Sequence, residues 1–494
     1  MLLNLDSAVK SGPNRLFLAG ISSLLILIVS IPWTVAQEWT RVERPSELEF
    51  PAQEFHPPKP ERRELPNGMV VYMLPDSSIP QVRAYARIKA GSIHEKPEEV
   101  GLASLTASLL RLGGSESVSA DEMNDQLEFV GASLESGSTR DYASVSLRVL
   151  SKDKEMGFEY FADILRHPAF PQDKIDQRKG EVSEKLRRQL DDPMEITRNE
   201  FREMLYGDHP YGRNPDGTQE SLASFTREDL VRWHEETYHP NRIILSISGD
   251  FEPDWLMETL EKLFGDWPKF EGEIPEPQVG DQVSVGETFF IEKDLNQSTI
   301  RFGHLGIRKD NPDAIPLDVL NFVIGGGGFS SRLVNEVRTR GGYAYMVASI
   351  FDEPLLQGQF VTILQTQSKN TMEATELAKE VISKAIQPGS LTDEEIELAK
   401  ESKLNDFVFN FETPQAVVQA YADLEFYGLP DNYLETYREN LAKVTREDLE
   451  KVGTKYIHPD KMSLLVLGNS EVKPLLEEAE GNVQTLTLQE VDSE

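Results

Sequence analysis

Apolar and polar positions alternate along two stretches of the chain, one in each half. Residues 82–90 (VRAYARIKA) and 298–307 (STIRFGHLGI) have the two-residue period of a half-buried strand. A helical period is clearest in residues 174–190, where one face collects the side chains Ile175, Val182, Leu186 and Leu190. Both alternating stretches are followed by a loop with proline and then an apolar helix. This mixture of strands and amphipathic helices predicts an α+β protein, with sheets covered by helices.

The chain also repeats itself. Residues 226–230 and 445–449 both read TREDL, an offset of 219 residues. At the same offset a His-Pro pair and a glycine recur, as His239-Pro240 with His458-Pro459 and Gly249 with Gly468. Each copy predicts a helix capped by its threonine (Thr226 or Thr445), a stop at His-Pro, and an apolar strand over 243–247 or 463–467. A period this long indicates a duplicated domain, since solenoid repeats are much shorter.

The duplication and the changes in composition divide the 494 residues into six segments. A signal peptide and a proline-rich tether precede the first copy, and an acidic linker with Pro275 and Pro277 precedes the second. The predicted boundaries are 1–36 for the signal peptide, 37–60 for the tether, 61–270 for the N-terminal domain, 271–286 for the linker, 287–480 for the C-terminal domain and 481–494 for a tail.

The N-terminus has the features of an export signal. Lys10 and Arg15 precede a mainly apolar run over 16–33, and small residues end at Ala36. We therefore expect cleavage after Ala36 and a periplasmic or extracellular protein with no stable membrane span. An uncleaved N-terminal anchor is the alternative, because the run is near the minimum length that crosses a bilayer.

Composition excludes several classes of function. The chain has 84 acidic and 50 basic side chains, a net charge of −34, which argues against nucleic acid as a partner. It has no cysteine, so disulfides, thiolate metal sites, iron–sulfur clusters and cysteine nucleophiles are all impossible. A hydrophobic content of 39% with 27% charged residues is typical of a globular protein.

Several motifs, in order, resemble the pitrilysin/insulinase zinc metallopeptidases, in the branch of mitochondrial processing peptidase. The resemblance extends from about residue 61 to about residue 470. It rests on LPNGM at 65–69, GS at 91–92, GLA at 101–103, HPYG at 209–212, residues 226–250, GGGFSSRL at 326–333 and residues 338–345. It implies two tandem homologous domains, each a mainly antiparallel sheet covered by helices, in the processing-peptidase/LuxS-like metallohydrolase fold.

The zinc motif of that family is missing. Active members carry His-x-x-Glu-His in the helix that begins at GLA, where two histidines one turn apart bind zinc and the glutamate activates water. Here the three functional positions are Ser104, Ala107 and Ser108. Serine hydroxyls are not usual zinc ligands, and alanine cannot take a proton from water. The resemblance therefore implies that this chain holds no metal or other cofactor and is inactive alone.

Two further positions bear on the same site. The family's third ligand is a glutamate about 76 residues beyond the motif, and Glu184 stands there. Glu135-Ser136 replaces the family's Asn-Ala on the substrate-binding edge strand. His234 and His239 superficially resemble a zinc pair, but five residues on a helix turn the two rings apart, so we interpret them as packing residues.

The second domain retains a different set of family residues. In heterodimeric members one subunit holds zinc, and the other supplies an Arg and a Tyr seven residues later that bind the substrate backbone and stabilise the oxyanion. Arg338 and Tyr345 have this spacing, with Tyr343 as a rival two residues away. No Gly-Lys-Ser/Thr follows the glycines, so the preceding Gly326, Gly327 and Gly328 suggest a substrate-binding loop and not a phosphate loop.

These residues predict the non-catalytic subunit of a heterodimeric zinc metallopeptidase. Its expected partners are a homologous zinc-bearing subunit, which would hold the cofactor, and a peptide substrate. The first alternative is a structural or peptide-binding pseudopeptidase with no part in catalysis. The second is an independent hydrolase with another site, although the chain contains no Gly-x-Ser-x-Gly motif.

Overall fold

The structure of the protein is a computed structural model that describes residues 57–272 and 279–488. The predicted signal peptide, all but the end of the predicted tether, and positions 273–278 of the predicted linker lie outside these ranges, as does the end of the tail. Within the described ranges, no helix has both the length and the apolar character needed to cross a membrane.

The first half contains six strands and eight α-helices in the described residues. In chain order they are β1 Glu61–Glu64, β2 Val70–Pro75, β3 Gln81–Ile88, α1 Leu102–Leu112, α2 Ala120–Val130, β4 Ser133–Ser138, β5 Ala143–Leu150, α3 Lys154–Arg166, α4 Gln172–Gln189, α5 Pro193–Tyr206, α6 Gln219–Ser224, α7 Arg227–Thr237, β6 Ile243–Gly249 and α8 Pro253–Phe264. The alternating stretch at 82–90 forms β3, and the helical pattern at 174–190 falls in α4, which buries Ile175, Val182 and Leu186.

The second half repeats this plan with a different ending. Its elements are β7 Thr288–Glu292, β8 Gln297–Leu305, α9 Ala314–Asn321, β9 Ala344–Phe351, β10 Gln359–Gln367, α10 Thr371–Ala385, α11 Asp393–Phe409, α12 Pro414–Tyr427, α13 Tyr433–Lys443, α14 Arg446–Tyr456, β11 Ser463–Gly468, α15 Val472–Glu480 and β12 Val483–Leu486. Two π-helical segments, Phe322–Gly326 and Val334–Arg340, lie between α9 and β9.

Each half forms one six-stranded sheet. The strand orders are β1-β2-β6-β3-β5-β4 and β12-β7-β11-β8-β10-β9, so the inner strands correspond one to one. The pairs β2–β6, β7–β11 and β7–β12 are parallel and the other pairs are antiparallel, which confirms the predicted mainly antiparallel α+β fold. Strand β12 lies inside the segment predicted as a tail, so the C-terminal sheet extends past residue 480.

The repeated TREDL segments start equivalent helices. In α7 the hydroxyl of Thr226 accepts a hydrogen bond from the Asp229 amide at 3.4 Å, and the Asp229 carboxylate accepts one from the Thr226 amide at 2.9 Å. The same reciprocal pair forms in α14 between Thr445 and Asp448, at 3.2 and 2.9 Å. Both predicted N-caps are confirmed, and each satisfies amide groups that a helix start leaves without partners.

Each half contributes one helix that packs on the sheet of the other half. Helix α5 of the first half packs on β8 and β11 of the second sheet, and α12 of the second half packs on β6 and β2 of the first sheet. Strand β11 therefore buries Leu464 and Val466 in its own domain's core and Leu465 and Leu467 against the face covered by α5. Burial on both faces explains why this strand is a continuous apolar run.

Candidate functional site

The zinc-motif positions lie in α1, a helix that is buried along most of its length. Gly101 precedes it with a φ of 97°, a conformation that glycine adopts without strain. The carboxylate of Glu95 accepts hydrogen bonds from the amides of Gly101 at 3.1 Å and Ala103 at 2.7 Å, and so caps the helix start. Burial raises the pKa of Glu95 to about 8, against the lowering effect of these amide bonds.

Two of the three motif side chains are buried. Ala107 is completely enclosed in the first-half core and Ser108 is 8% exposed, whereas Ser104 is half-buried. The Ser108 hydroxyl donates to the carbonyl of Leu105 at 2.8 Å and accepts from Nε of Arg178 at 3.2 Å. A guanidinium from α4 therefore contacts the position that corresponds to the family's second histidine.

Glu184, at the position of the family's third zinc ligand, forms an ion pair on the surface of α4. Glu184 is exposed and forms an ion pair with Arg187 at 2.6 Å, while Arg178 pairs with Glu181 at 3.0 Å. Two serines, an alanine and a surface glutamate beside an arginine do not fit a zinc ion, which needs nitrogen, thiolate or carboxylate donors facing one point. Over residues 57–272 and 279–488, no three His, Cys, Asp or Glu side chains are grouped so that they could hold a metal.

The neighbouring edge strand is β4, which carries Glu135 and Ser136. Ser136 Oγ accepts a hydrogen bond from the backbone amide of Arg111 at 3.2 Å. The Arg111 side chain turns back and donates from Nε to the carbonyl of Leu134 at 2.9 Å. Helix α1 is thus tied to β4 by hydrogen bonds at its C-terminal end, and Glu135 remains exposed to solvent.

His234 lies in α7 and His239 follows the end of that helix, and the two rings pack against different partners. The His234 ring stacks on Tyr238 at 4.8 Å, and its Nε2 is 2.8 Å from the carbonyl of Leu165. Burial lowers the pKa of His234 to about 4, so the ring is neutral at pH 7. His239 instead stacks on Phe270 at 4.9 Å. These contacts confirm their interpretation as packing residues.

The glycine-rich segment of the second half begins in the first π-helical segment, which ends with Gly325 and Gly326, and continues through Gly327 and Gly328. Gly325 is buried, and a Cβ there would come within 2.5 Å of the Ser349 amide in β9, so only glycine fits. Gly326 and Gly328 are exposed and Gly327 is half-buried, and Gly328 has a φ of 55° with open space around it. π-helical turns are rare and occur frequently at functional sites.

Arg338 extends from the second π-helical segment into solvent. Its guanidinium lies over the ring of Phe329, 4.9 Å from the ring centroid. Phe329 belongs to the glycine-rich loop and is 71% exposed. This cation–π contact connects the predicted Arg directly to the predicted substrate loop.

Tyr345 is the accessible phenol of the two tyrosine candidates. In the register of β9 with β10, Ala344 pairs with Thr366 and Met346 with Gln365, so Tyr345 is the extra residue of a β-bulge. Its side chain is 66% exposed, whereas Tyr343 is half-buried against the second-half core. Bulges redirect side chains away from the regular sheet, and this one turns Tyr345 outward.

The described structure thus places Arg338, Tyr345 and the glycine loop on adjoining elements, with Phe329 as an additional member. The exposed Arg offers a planar fork of donors to carbonyl or carboxylate oxygens, and the phenol offers one further donor. The sequence did not identify Phe329 or Arg178. The only signal for Phe329 was its place in the glycine-rich run, and no pattern links Arg178 to Ser108, which is 70 residues away.

The fold and these sites together define a two-domain peptidase-like protein whose zinc position lacks metal ligands. Residues 70–218 match the model of the insulinase family (peptidase family M16), and residues 224–403 match the model of the peptidase M16 inactive domain. The chain belongs to the insulinase family, peptidase family M16.

Relatives agree with this assignment. An uncharacterized zinc protease, YmxG, of Bacillus subtilis is 26% identical over 70% of this chain and 83% of its own length. A protein of Helicobacter pylori named as a non-peptidase homolog is 24% identical over 77% and 87%. Among solved structures, a peptidase M16 inactive domain from Pseudomonas fluorescens superposes with a TM-score of 0.78 at 25% identity, covering 83% of this chain and 98% of that one.

Proposed function

We propose that this chain is the non-catalytic subunit of a heterodimeric zinc metallopeptidase. In this complex a homologous partner holds the zinc and activates the attacking water. This chain contributes Arg338 and Tyr345 in trans. We further propose that it acts after export, in the periplasm or outside the cell, with the signal at residues 1–36 removed.

One contrast supports the proposal above all. The first half has an arginine hydrogen-bonded to the vestigial zinc position, whereas the second half exposes an arginine and a phenol on adjoining elements. An exposed Arg–Phe contact and a bulged Tyr contribute little to stability, because surface interactions of this kind are weak. A role in binding another molecule accounts for their exposure.

The two side chains suit successive tasks on a peptide. The Arg338 fork can hold a substrate carbonyl by two hydrogen bonds, which fixes the strand beside the glycine loop. The Tyr345 hydroxyl can donate to the oxygen that gains negative charge when water adds to the scissile carbonyl. Neither group gives up or takes up a proton in this scheme. Both act as hydrogen-bond donors held in a fixed position.

The first test is the composition of the active species. The chain is purified alone, and again with a family member that carries an intact His-x-x-Glu-His, and bound zinc and peptide cleavage are measured. We expect no zinc and no cleavage from the single chain, one zinc per pair, and cleavage by the pair that exceeds that of the partner alone. Stoichiometric zinc and activity in the single chain would refute the proposal.

A second candidate is a pseudopeptidase that binds peptides or organises a complex without catalysis. The relative named as a non-peptidase homolog favours it. The two candidates differ in one observable. A pseudopeptidase leaves the cleavage rate of any partner unchanged when it is added, although the two chains form a stable complex.

A further inference from the structure

A cavity of about 300 Å³ opens at the seam between the two halves. The turn between β4 and β5 forms one wall with Arg140 and Tyr142, and the start of the loop after β9 forms another with Asp352. Arg202 of α5 and Tyr427 at the end of α12 complete it, so both of the helices that pack on the opposite sheet reach this point. Its volume is at the lower end of small-ligand sites, which span roughly 300 to 1,000 Å³.

The acidic side chains around the cavity already have partners. Asp352 forms an ion pair with Arg202 at 2.7 Å, and Glu353 forms one with Lys309 at 3.1 Å. Asp141 accepts hydrogen bonds from the Tyr211 hydroxyl and, at 3.1 Å, from the amide of Leu355. None of these carboxylates forms an ion pair with the remaining arginine.

Arg140 is that remaining arginine. Its one hydrogen bond within the described residues runs from Nη2 to the carbonyl of Arg213, at 3.4 Å. Its Nε is buried and has no partner. Burial, followed by repulsion from Arg202 and Arg198, lowers the pKa of Arg140 to about 10 against the attraction of Asp352, and the guanidinium is still charged at pH 7. Arg140 is half-buried, and an enclosed Nε on a guanidinium with one long neutral hydrogen bond leaves donor capacity for a further acceptor.

We propose that this cavity is a binding site for a small oxyanion, a carboxylate or a phosphate group, with Arg140 as its principal donor. The planar guanidinium fits either group through two parallel hydrogen bonds. The neighbouring phenols of Tyr142 and Tyr427 line the same space and can donate further hydrogen bonds. The site involves neither Arg338 nor Tyr345, so it is independent of the proposed catalytic role.

The test is isothermal titration calorimetry on the full exported chain. Sodium phosphate is the probe in one arm and sodium succinate in the other, each against sodium chloride at equal ionic strength. The variants are Arg140→Gln and the matched control Arg308→Gln, since Arg308 is an exposed arginine that pairs with Asp310. We expect one saturable site in the wild-type protein, at least about tenfold weaker binding in Arg140→Gln, and wild-type binding in Arg308→Gln.

The two titrations distinguish a phosphate site from a carboxylate site, because the anion that binds with the lower dissociation constant identifies the preferred group. Should Arg140→Gln fail to fold, Arg140→Lys keeps the charge without the fork and is expected to bind about threefold or more weakly. The proposal is overturned if neither anion gives saturable heat with the wild-type chain, or if the Arg140 variants bind as tightly as the wild type.

Discussion

Nε of Arg178 donates a hydrogen bond to the hydroxyl of Ser108 over 3.2 Å. Ser108 stands where the family resemblance places the second zinc-binding histidine, so a fixed positive charge lies beside the position of the metal ion. Like charges repel, so this guanidinium opposes the approach of a metal cation, although Glu181 pairs with it at 3.0 Å. We therefore expect both α1 and α4, and not the altered motif alone, to oppose zinc binding.

Restoring the motif alone is accordingly expected to fail. The variant Ser104→His/Ala107→Glu/Ser108→His should bind zinc weakly, because Arg178 still carries its charge into the site. Adding Arg178→Ala should bring zinc to about one per chain, by elemental analysis after dialysis. Arg188→Ala, an exposed arginine on the same helix, is the control and should not rescue binding. Stoichiometric zinc in the triple variant would show that Arg178 has no such role.

The duplicated helix caps should contribute equally to stability. Thr226→Ala and Thr445→Ala each remove a reciprocal threonine–aspartate pair, and each should lower the free energy of unfolding by about 1 kcal/mol. Thr→Ser at either position keeps the hydroxyl and should cost much less. Urea unfolding followed by circular dichroism measures all four variants, and an alanine variant as stable as the wild type would contradict the capping interpretation.

The helix caps also show which parts of the fold could be predicted from the sequence. The TREDL repeat predicted both caps, and the alternating stretches predicted β3 and β8, because these features depend on local periodicity and on amide groups a few residues away. The placement of α5 and α12 was beyond such patterns, since both lie on the sheet of the opposite half and only tertiary packing determines which sheet they cover. Strand β12 was missed for a similar reason, because four residues, VQTL, are too few to show a period and form a strand by pairing with β7.

The functional residues also fall into two groups, those predicted from the sequence and those found only from contacts in the structure. Spacing and family motifs led to Arg338 and Tyr345, and the structure distinguished Tyr345 from Tyr343 by a bulge that depends on cross-strand register. Arg178 and Arg140 were not found, because each matters through a contact, or a missing contact, with groups distant in sequence.

Three histidines held as neutral rings should make a contribution to stability that is lost in mild acid, opposite in sign to the contribution of Glu95, whose raised pKa favours the folded protein as the pH falls below about 8. Burial lowers the pKa values of His94, His234 and His304 to about 4, compared with about 6.5 in an unfolded chain. As the pH falls from about 6.5 to 4, these histidines take up protons in the unfolded chain but not in the folded protein, so their contribution to the free energy of unfolding decreases. Above pH 7 the contribution is constant.

One histidine variant isolates this effect. His234→Gln can still donate to the carbonyl of Leu165 and does not titrate, so its stability should fall less steeply between pH 6.5 and 4 than that of the wild type. Carboxylates titrate alike in both proteins and cancel in the comparison. Unfolding in urea at pH 7, 6 and 5 provides the measurement, and parallel curves would mean that His234 takes up a proton in the folded state.

The contact between Phe329 and Arg338 should be measurable as a coupling. In a complex with a zinc-bearing partner, Phe329→Leu should lower kcat/KM about two- to fivefold, the value of an exposed cation–π contact of about 0.5–1 kcal/mol. In an Arg338→Ala background the same change should have almost no further effect, and Phe329→Tyr should resemble the wild type. Equal losses in both backgrounds would mean that the loop acts independently of Arg338.

The most direct test of the account is the cleavage rate of that complex when Tyr345 is changed to Phe. We predict that kcat falls by about a hundredfold, as expected for an oxyanion donor, while zinc content and complex formation are unchanged. Tyr343→Phe, at the half-buried neighbour, is the matched control and should retain nearly full activity. If the Tyr345→Phe complex cleaves peptides at the wild-type rate, this chain does not complete the active site in trans.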